Sequence, residues 1–284
     1  MKQTQEESGM ISIIGVIGTG NMGSAVLRGI IDAEYVKQSQ IIAYDASARR
    51  LREIGSDLPG IKLAVDCLEV AEKADLIILA VKPNYIQEVI DEIRPVLDGK
   101  AVLSIAAGWT TGMLSRALQG TKATYMRVMP NTPALVGEGM TALCDETTFS
   151  EEDFAFAKGI FESIGKTKVL PERLFDGVTA ISGSSPAYVY MMIEAMADAG
   201  VREGLPRTYA YEMAAQSVLG SALMVLSSGT HPAALKDAVC SPGGTTIEAV
   251  RVLEKTGFRS SIIEAMDACA RKSREMALAK GDKS

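Results

Sequence analysis

The sequence predicts an α/β protein in two parts: a parallel sheet flanked by helices over residues 11–171, and an all-helical region over residues 172–284. Three observations predict it. Short β-rich runs alternate with helical patterns as far as about Pro171, and such alternation implies parallel strands joined by crossover helices. Beyond Pro171 no run reads as a strand, and the remaining patterns are helical. A glycine cluster, Gly18–Gly23, lies between the first strand run and the first helical pattern. The 284 residues suffice for about two domains. Residues 1–10, MKQTQEESGM, form a polar tail.

In chain order, the strand runs are Ile11–Ile17, Gln40–Tyr44, Asp75–Val81, Ala101–Ile105 and Ala123–Val128. Strands buried on both faces read as continuous apolar runs. Helical patterns fall between them at 21–34, 47–55, 84–96 and 111–119, and Met140–Leu143 and Lys166–Leu170 can extend the sheet. The second part holds helical patterns at 172–181, 186–203, 206–228, 244–256 and 258–279. Pro186 stands at a helix start, where no backbone donor is needed. The segment Pro186–Ala199, PAYVYMMIEAMADA, is apolar on most sides, and such a helix must be buried on most sides. It is either the core of an all-α domain or the interface of a homo-oligomer. The region is too small to enclose so many apolar faces, so self-association through these helices is expected.

Composition removes several function classes. Lys and Arg number 29 against 35 Asp and Glu, a net charge of −6, where a nucleic-acid binder needs a basic excess. Aromatics at 5% are too few for a base-stacking platform. The single histidine, His231, excludes a multi-histidine metal site; preceding Pro232, it reads as a loop residue. Cys67, Cys144, Cys240 and Cys269 are far apart with no CxxC pair, the pattern of reduced thiols. No signal peptide is visible, and no apolar run approaches the ~18–20 residues that span a bilayer. The expectation is a soluble cytoplasmic protein with neither membrane nor nucleic acid as partner.

Following Ile17, Gly18-Thr19-Gly20-Asn21-Met22-Gly23 is G-x-G-x-x-G with a strand before it and a helix after it. In a Rossmann dinucleotide-binding domain Gly18 allows the tight turn, Gly20 lets backbone approach a pyrophosphate, and Gly23 lets the helix pack on the strand. The anion lies on the helix N-terminus. Asp45, about 20 residues on, stands where a carboxylate reads a ribose 2′-OH and favours NAD. Ser47, Arg49 and Arg50 follow and suit a 2′-phosphate; alternatively Asp45 or Ser47 caps the next helix. NAD and NADP both remain open. Ala80-Val81-Lys82-Pro83 and Ala106-Ala107-Gly108 lie at the carboxyl ends of strands, where ligands bind in open α/β sheets. Lys82 reads as a solvated loop charge. In MPNTP, Asn131 either hydrogen-bonds a ligand or closes a turn.

Two glycine-serine segments occur in the helical half. Ser182–Tyr188 reads as a capped helix start. Ser241-Pro242-Gly243-Gly244-Thr245-Thr246 opens the helix IEAVRVLE. Capping needs one hydroxyl; backbone N–H groups, a positive helix end and three hydroxyls together suit a small carboxylate.

These segments resemble the pyrroline-5-carboxylate reductases from about Ile11 to Met276. The carriers are IGTGNMGSA (17–25), AVKP (80–83), IAAG (105–108), MPNTP (129–133), SGSSPAYVY (182–190) and LKDAVCSPGGTTIEAVRVLE (235–254). The resemblance implies reduction of the cyclic imine (S)-1-pyrroline-5-carboxylate to L-proline by NADPH or NADH. It implies a C-terminal all-α dimerisation domain of intertwined helices. It places the nicotinamide against Ala80–Pro83 and Ala106–Gly108, the substrate carboxylate on the backbone of Ser241–Thr246, and the Thr246 hydroxyl at the ring nitrogen. Three positions depart from the family pattern. Cys67 stands where many members have an asparagine near the cofactor ribose, Trp109 replaces a small aliphatic, and Ala238 replaces an asparagine found in some members. A β-hydroxyacid dehydrogenase shares the first half but needs a catalytic lysine on the helix past the boundary, and residues 177–203 contain none. A non-catalytic dinucleotide sensor needs no SPGGTT.

Overall fold

A computed structural model describes residues 11–281. Among the described residues the chain divides into two compact units, 11–183 with 269–281, and 184–268. The division by compactness thus falls after Gly183, and the end of the last helix returns to the first unit.

The first unit is built on eight strands: β1 (Ile14–Ile17), β2 (Ile41–Tyr44), β3 (Lys62–Leu63), β4 (Leu76–Leu79), β5 (Ala101–Ser104), β6 (Thr124–Met129), β7 (Gly139–Cys144) and β8 (Gly165–Leu170). Their order is β3-β2-β1-β4-β5-β6-β7-β8. Neighbours run parallel except β6 and β7. The first six strands have the doubly wound order, whose strand direction of travel reverses between β1 and β4; that crevice is where such sheets bind ligands.

Helices α1 (Asn21–Asp32), α2 (Ala48–Asp57), α3 (Cys67–Lys73), α4 (Ile86–Ile93), α5 (Thr111–Ala117), α6 (Glu151–Glu162) and the short α7 (Phe175–Val178) flank the sheet in the first unit. Strand alternation divides the apolar side chains between two cores. On β4, Leu76 and Ile78 join α1 and α6 on one face, while Ile77 and Leu79 join α3, α4 and α5 on the other. All four are fully buried, each worth about 1.5–3 kcal/mol. The expected helix over 172–181 is a 3₁₀ turn Glu172–Leu174, α7, and a π-helical turn Thr179–Gly183.

The second unit comprises α8 (Ser185–Arg202), α9 (Arg207–Ser228), α10 (Pro232–Ala238), α11 (Thr245–Lys255) and the first part of α12 (Phe258–Gly281). An ion pair between Arg207 and Asp198 joins the packed helices α8 and α9. Only Ala197, Ala210 and Ala214 are buried apolar residues among the described residues of this unit. Met191 is 69% exposed and Leu226 65%.

Candidate functional site

A cavity of about 690 Å³ opens at the crevice between β1 and β4. The backbone around Gly18 sets its floor. Gly18 has φ +103, and a Cβ there would lie 2.7 Å from the Ala80 carbonyl oxygen. A Cβ on Gly23 would lie 1.9 Å from the Gly18 carbonyl oxygen, so α1 starts against the turn only because both are glycine. Gly20 is the N-cap of α1 and brings no side-chain acceptor to its first turn. The start of α1 therefore presents N–H groups to the cavity beside a residue without a side chain, a cradle for an anion.

Of the expected cofactor residues, Ile17, Gly18, Gly20, Asn21, Asp45, Ser47, Ala80, Val81 and Lys82 line this cavity. Thr19 is buried behind the loop and donates its N–H to Asp45 Oδ2 at 2.8 Å. Asp45 Oδ1 accepts the Ser47 N–H at 2.8 Å. Asp45 thus ties the glycine loop to the start of α2, where Ser47 is the N-cap. Met22 packs on the core and Gly23 underlies the loop. Arg49 pairs with Glu53 at 2.7 Å and is not among the lining residues; Arg50 is.

One wall of the cavity carries no motif in the sequence. Tyr85, Glu88, Val89 and Glu92 line the cavity from α4 and the turn before it. Their spacing of three, four and seven marks one helix face, the signal that finds them. Cys67, also lining, is 4% exposed. Burial first, and then the carboxylates of Glu92 and Asp66, push its thiol up to about 12.

Pro83, Ala106, Ala107, Gly108 and Asn131 lie outside this cavity lining. Trp109 is buried and donates Nε1–H to the Pro83 carbonyl at 2.7 Å, joining the turns after β4 and β5. Asn131 donates Nδ2–H to the Ser182 carbonyl at 3.1 Å, and its Oδ1 accepts the Met140 N–H at 2.8 Å. Both ends of its amide are bonded within the fold, to Ser182 and Met140, rather than to the turn that follows it.

In the second unit, Ser241–Thr246 makes a tight turn into α11. Gly243 has φ +66, and the Gly244 N–H donates to the Ser241 carbonyl at 3.0 Å. A Cβ on Gly244 would lie 2.4 Å from Ser241 Oγ. Gly244 is the N-cap of α11, with no side-chain cap. Thr245 and Thr246 are its first residues, and Ser241, Gly243 and Thr245 are exposed. His231 Nδ1 accepts the Ala233 N–H at 3.2 Å at the start of α10, a structural role. No group of three or more metal-ligating side chains occurs among the described residues, and no helix among them is long and apolar enough to cross a membrane.

Comparison with known proteins agrees with this geometry. The family described as pyrroline-5-carboxylate reductase dimerisation matches residues 172–276, and the one described as NADP oxidoreductase, coenzyme F420-dependent, matches residues 13–108. The pyrroline-5-carboxylate reductase of Escherichia coli (strain K12) is 50% identical over 264 residues, 93% of this chain and 97% of its own length. That of Arabidopsis thaliana is 39% identical, covering 93% and 95%. The crystal structure of Plasmodium falciparum pyrroline carboxylate reductase with NADP bound is 36% identical with a TM-score of 0.86, covering 95% of this chain and 100% of that chain. A reductive aminase from Aspergillus terreus, at 19% identity and a TM-score of 0.58, shares the fold alone. Matched to such relatives along nearly its whole length, this chain belongs to the pyrroline-5-carboxylate reductase family.

Proposed function

We propose that this chain reduces (S)-1-pyrroline-5-carboxylate to L-proline with NAD(P)H, the final step of proline biosynthesis. The observation that carries the reading is the presence in one chain of the Gly18–Gly23 cradle and the Ser241–Thr246 loop, in a sequence half identical to the E. coli reductase. Bound at the crevice, NAD(P)H supplies a hydride. The chain would hold its pyrophosphate on the N–H groups at the start of α1, which the close turn that Gly18 and Gly23 permit brings to the crevice. Arg50 and Ser47 face the cavity beside Gly20 and suit a 2′-phosphate. Asp45 lines the cavity but has both oxygens already bonded within the protein, seating Thr19 and Ser47. Those two facts favour NADPH.

The substrate carboxylate rests on the N–H groups of the uncapped α11 start, and the Thr246 hydroxyl faces the ring nitrogen. The imine nitrogen is basic and carries its own proton near neutral pH. The new C–H bond forms at the imine carbon, which becomes C5 of proline, and the C=N π pair becomes the nitrogen lone pair of proline. No strong acid is required of the chain, in accord with its single, structurally engaged histidine. The protein's contribution is alignment, which supplies a large rate term by itself. The exposed apolar side chains of α8 and α9 support pairing with a second copy through the region matched by the dimerisation family. Cofactor deuterated at the transferring position of C4 should give proline with one deuterium at C5. Proline lacking that deuterium would overturn the proposed hydride route.

A further inference from the structure

Between β5 and α5 the chain passes through the turn Ala106–Gly108, and a partly buried ion pair links the strand beside β5 to the start of α5. Arg127 lies on β6 opposite Ser104, the last residue of β5. Its side chain is 6% exposed, and its guanidinium pairs with Glu172 Oε1 at 2.7 Å. The guanidinium also lies over the Phe175 ring, 4.5 Å from the centroid. Glu172 turns both oxygens on the first residue of α5. Oε1 accepts the Thr111 N–H at 2.7 Å, and Oε2 accepts the Thr111 hydroxyl.

Helix capping does not explain this arrangement. Helix α5 already has a cap, because Thr110 Oγ1 accepts the Met113 N–H at 3.1 Å. Taking an arginine and part of a glutamate out of water is costly, and such a pair is weak evidence for stability. The turn itself explains it better. Gly108 has φ +73, and a Cβ there would meet nothing closer than Met276 at 3.7 Å. The turn is largely buried, with Ala106 and Trp109 each 5% exposed, and the tether at Thr111 fixes its far end to the sheet. Trp109 holds the same segment from the other side through the Pro83 carbonyl.

We propose that Glu172 is a positioning residue for hydride transfer. Anchored to β6 by Arg127, it fixes the far end of the Ala106–Gly108 turn through Thr111, so that the turn meets the nicotinamide in one geometry. This rests on the reading of that turn as the nicotinamide wall. Misplacement on the ångström scale costs about 100-fold in rate, and Glu172→Gln should lower kcat by about 10- to 100-fold. ADP-ribose carries the adenosine and pyrophosphate but no nicotinamide, and its inhibition constant should stay within about twofold.

Because Glu172→Gln strands a buried arginine and risks misfolding, Thr111 supplies a second pair of variants. Thr111→Val keeps the shape but loses the hydroxyl, and kcat should fall by about three- to tenfold; Thr111→Ser keeps the hydroxyl and should stay within about twofold. A Glu172→Gln enzyme with kcat near wild type, equal losses in kcat and ADP-ribose binding, or Thr111→Val and Thr111→Ser behaving alike would overturn the proposal. Ala107→Leu separates it from the reading beneath it. If that variant keeps wild-type kinetics, the turn is no nicotinamide wall and both fall. If it loses activity while Glu172→Gln and Thr111→Val do not, the wall stands and only the positioning role falls.

Discussion

Thr246 carries the most chemical weight on the substrate side. Thr246→Ala should lower kcat by about 10- to 100-fold, as for loss of one aligned polar group, with the melting temperature unchanged because the residue is half-buried at an uncapped helix start. Steady-state kinetics beside a thermal melt checks this; unchanged kinetics would remove Thr246 from the mechanism. On the cofactor side, Arg50 and Asp45 should separate. Arg50→Ala should raise KM for NADPH by about tenfold and leave NADH nearly unaffected, since one charge-assisted contact is worth roughly 1.4 kcal/mol or more. Asp45→Ala should weaken both cofactors alike, because it unseats Thr19. A change confined to NADH would instead make Asp45 the reader of the ribose 2′-OH. Cys67, whose thiol burial and nearby carboxylates push up to about 12, stays in the thiol form at pH 8. Alkylation at that pH followed by peptide mass spectrometry should find Cys67 and the fully buried Cys144 unlabelled while Cys240 is modified.

Elements differ in how plainly the sequence announced them, and the reasons are physical. Strand β1 and helix α1 were legible because the glycine spacing between them has one structural use. Strand β3 was not, being two residues long and exposed. Helix α3 has a signal, Asp66 accepting the Glu69 N–H at 2.7 Å, but its seven residues are too few to show periodicity. Helix α6 also had a start signal in Ser150 followed by three acidic residues. In the site, the glycine loop and the turn after β4 were readable, whereas the α4 wall needed a helix face to be assigned to a crevice. An arginine inside the apolar strand Thr124–Met129 signals a buried partner, yet nothing local points 45 residues ahead to Glu172. Burial pushes the Glu172 carboxyl up, but the donors from Thr111 and Arg127 outweigh it and hold the pKa below its ordinary value. Its stabilisation is therefore complete above the unfolded value of about 4.3 and is lost as pH falls through the lower folded value. Wild-type stability to urea should drop more steeply below about pH 4.5 than that of Glu172→Gln; parallel pH profiles would contradict this.

At the scale of the whole molecule, the two units rest on different physics. The first buries two apolar cores against a single sheet. The helical unit buries little beyond Ala197, Ala210 and Ala214 among its described residues, so its stability should depend on a second copy and hence on concentration. Dilution should lower its melting temperature, and Leu226→Glu, at a 65% exposed position, should shift sedimentation towards monomer; an unchanged sedimentation coefficient would argue against this surface as the interface. The central claim, that one chain joins a dinucleotide crevice to an anion-holding loop in order to reduce a cyclic imine, is tested most directly by turnover. Purified protein given pyrroline-5-carboxylate should oxidise NADPH or NADH at 340 nm and form one L-proline for each cofactor consumed. No oxidation with either cofactor would contradict it.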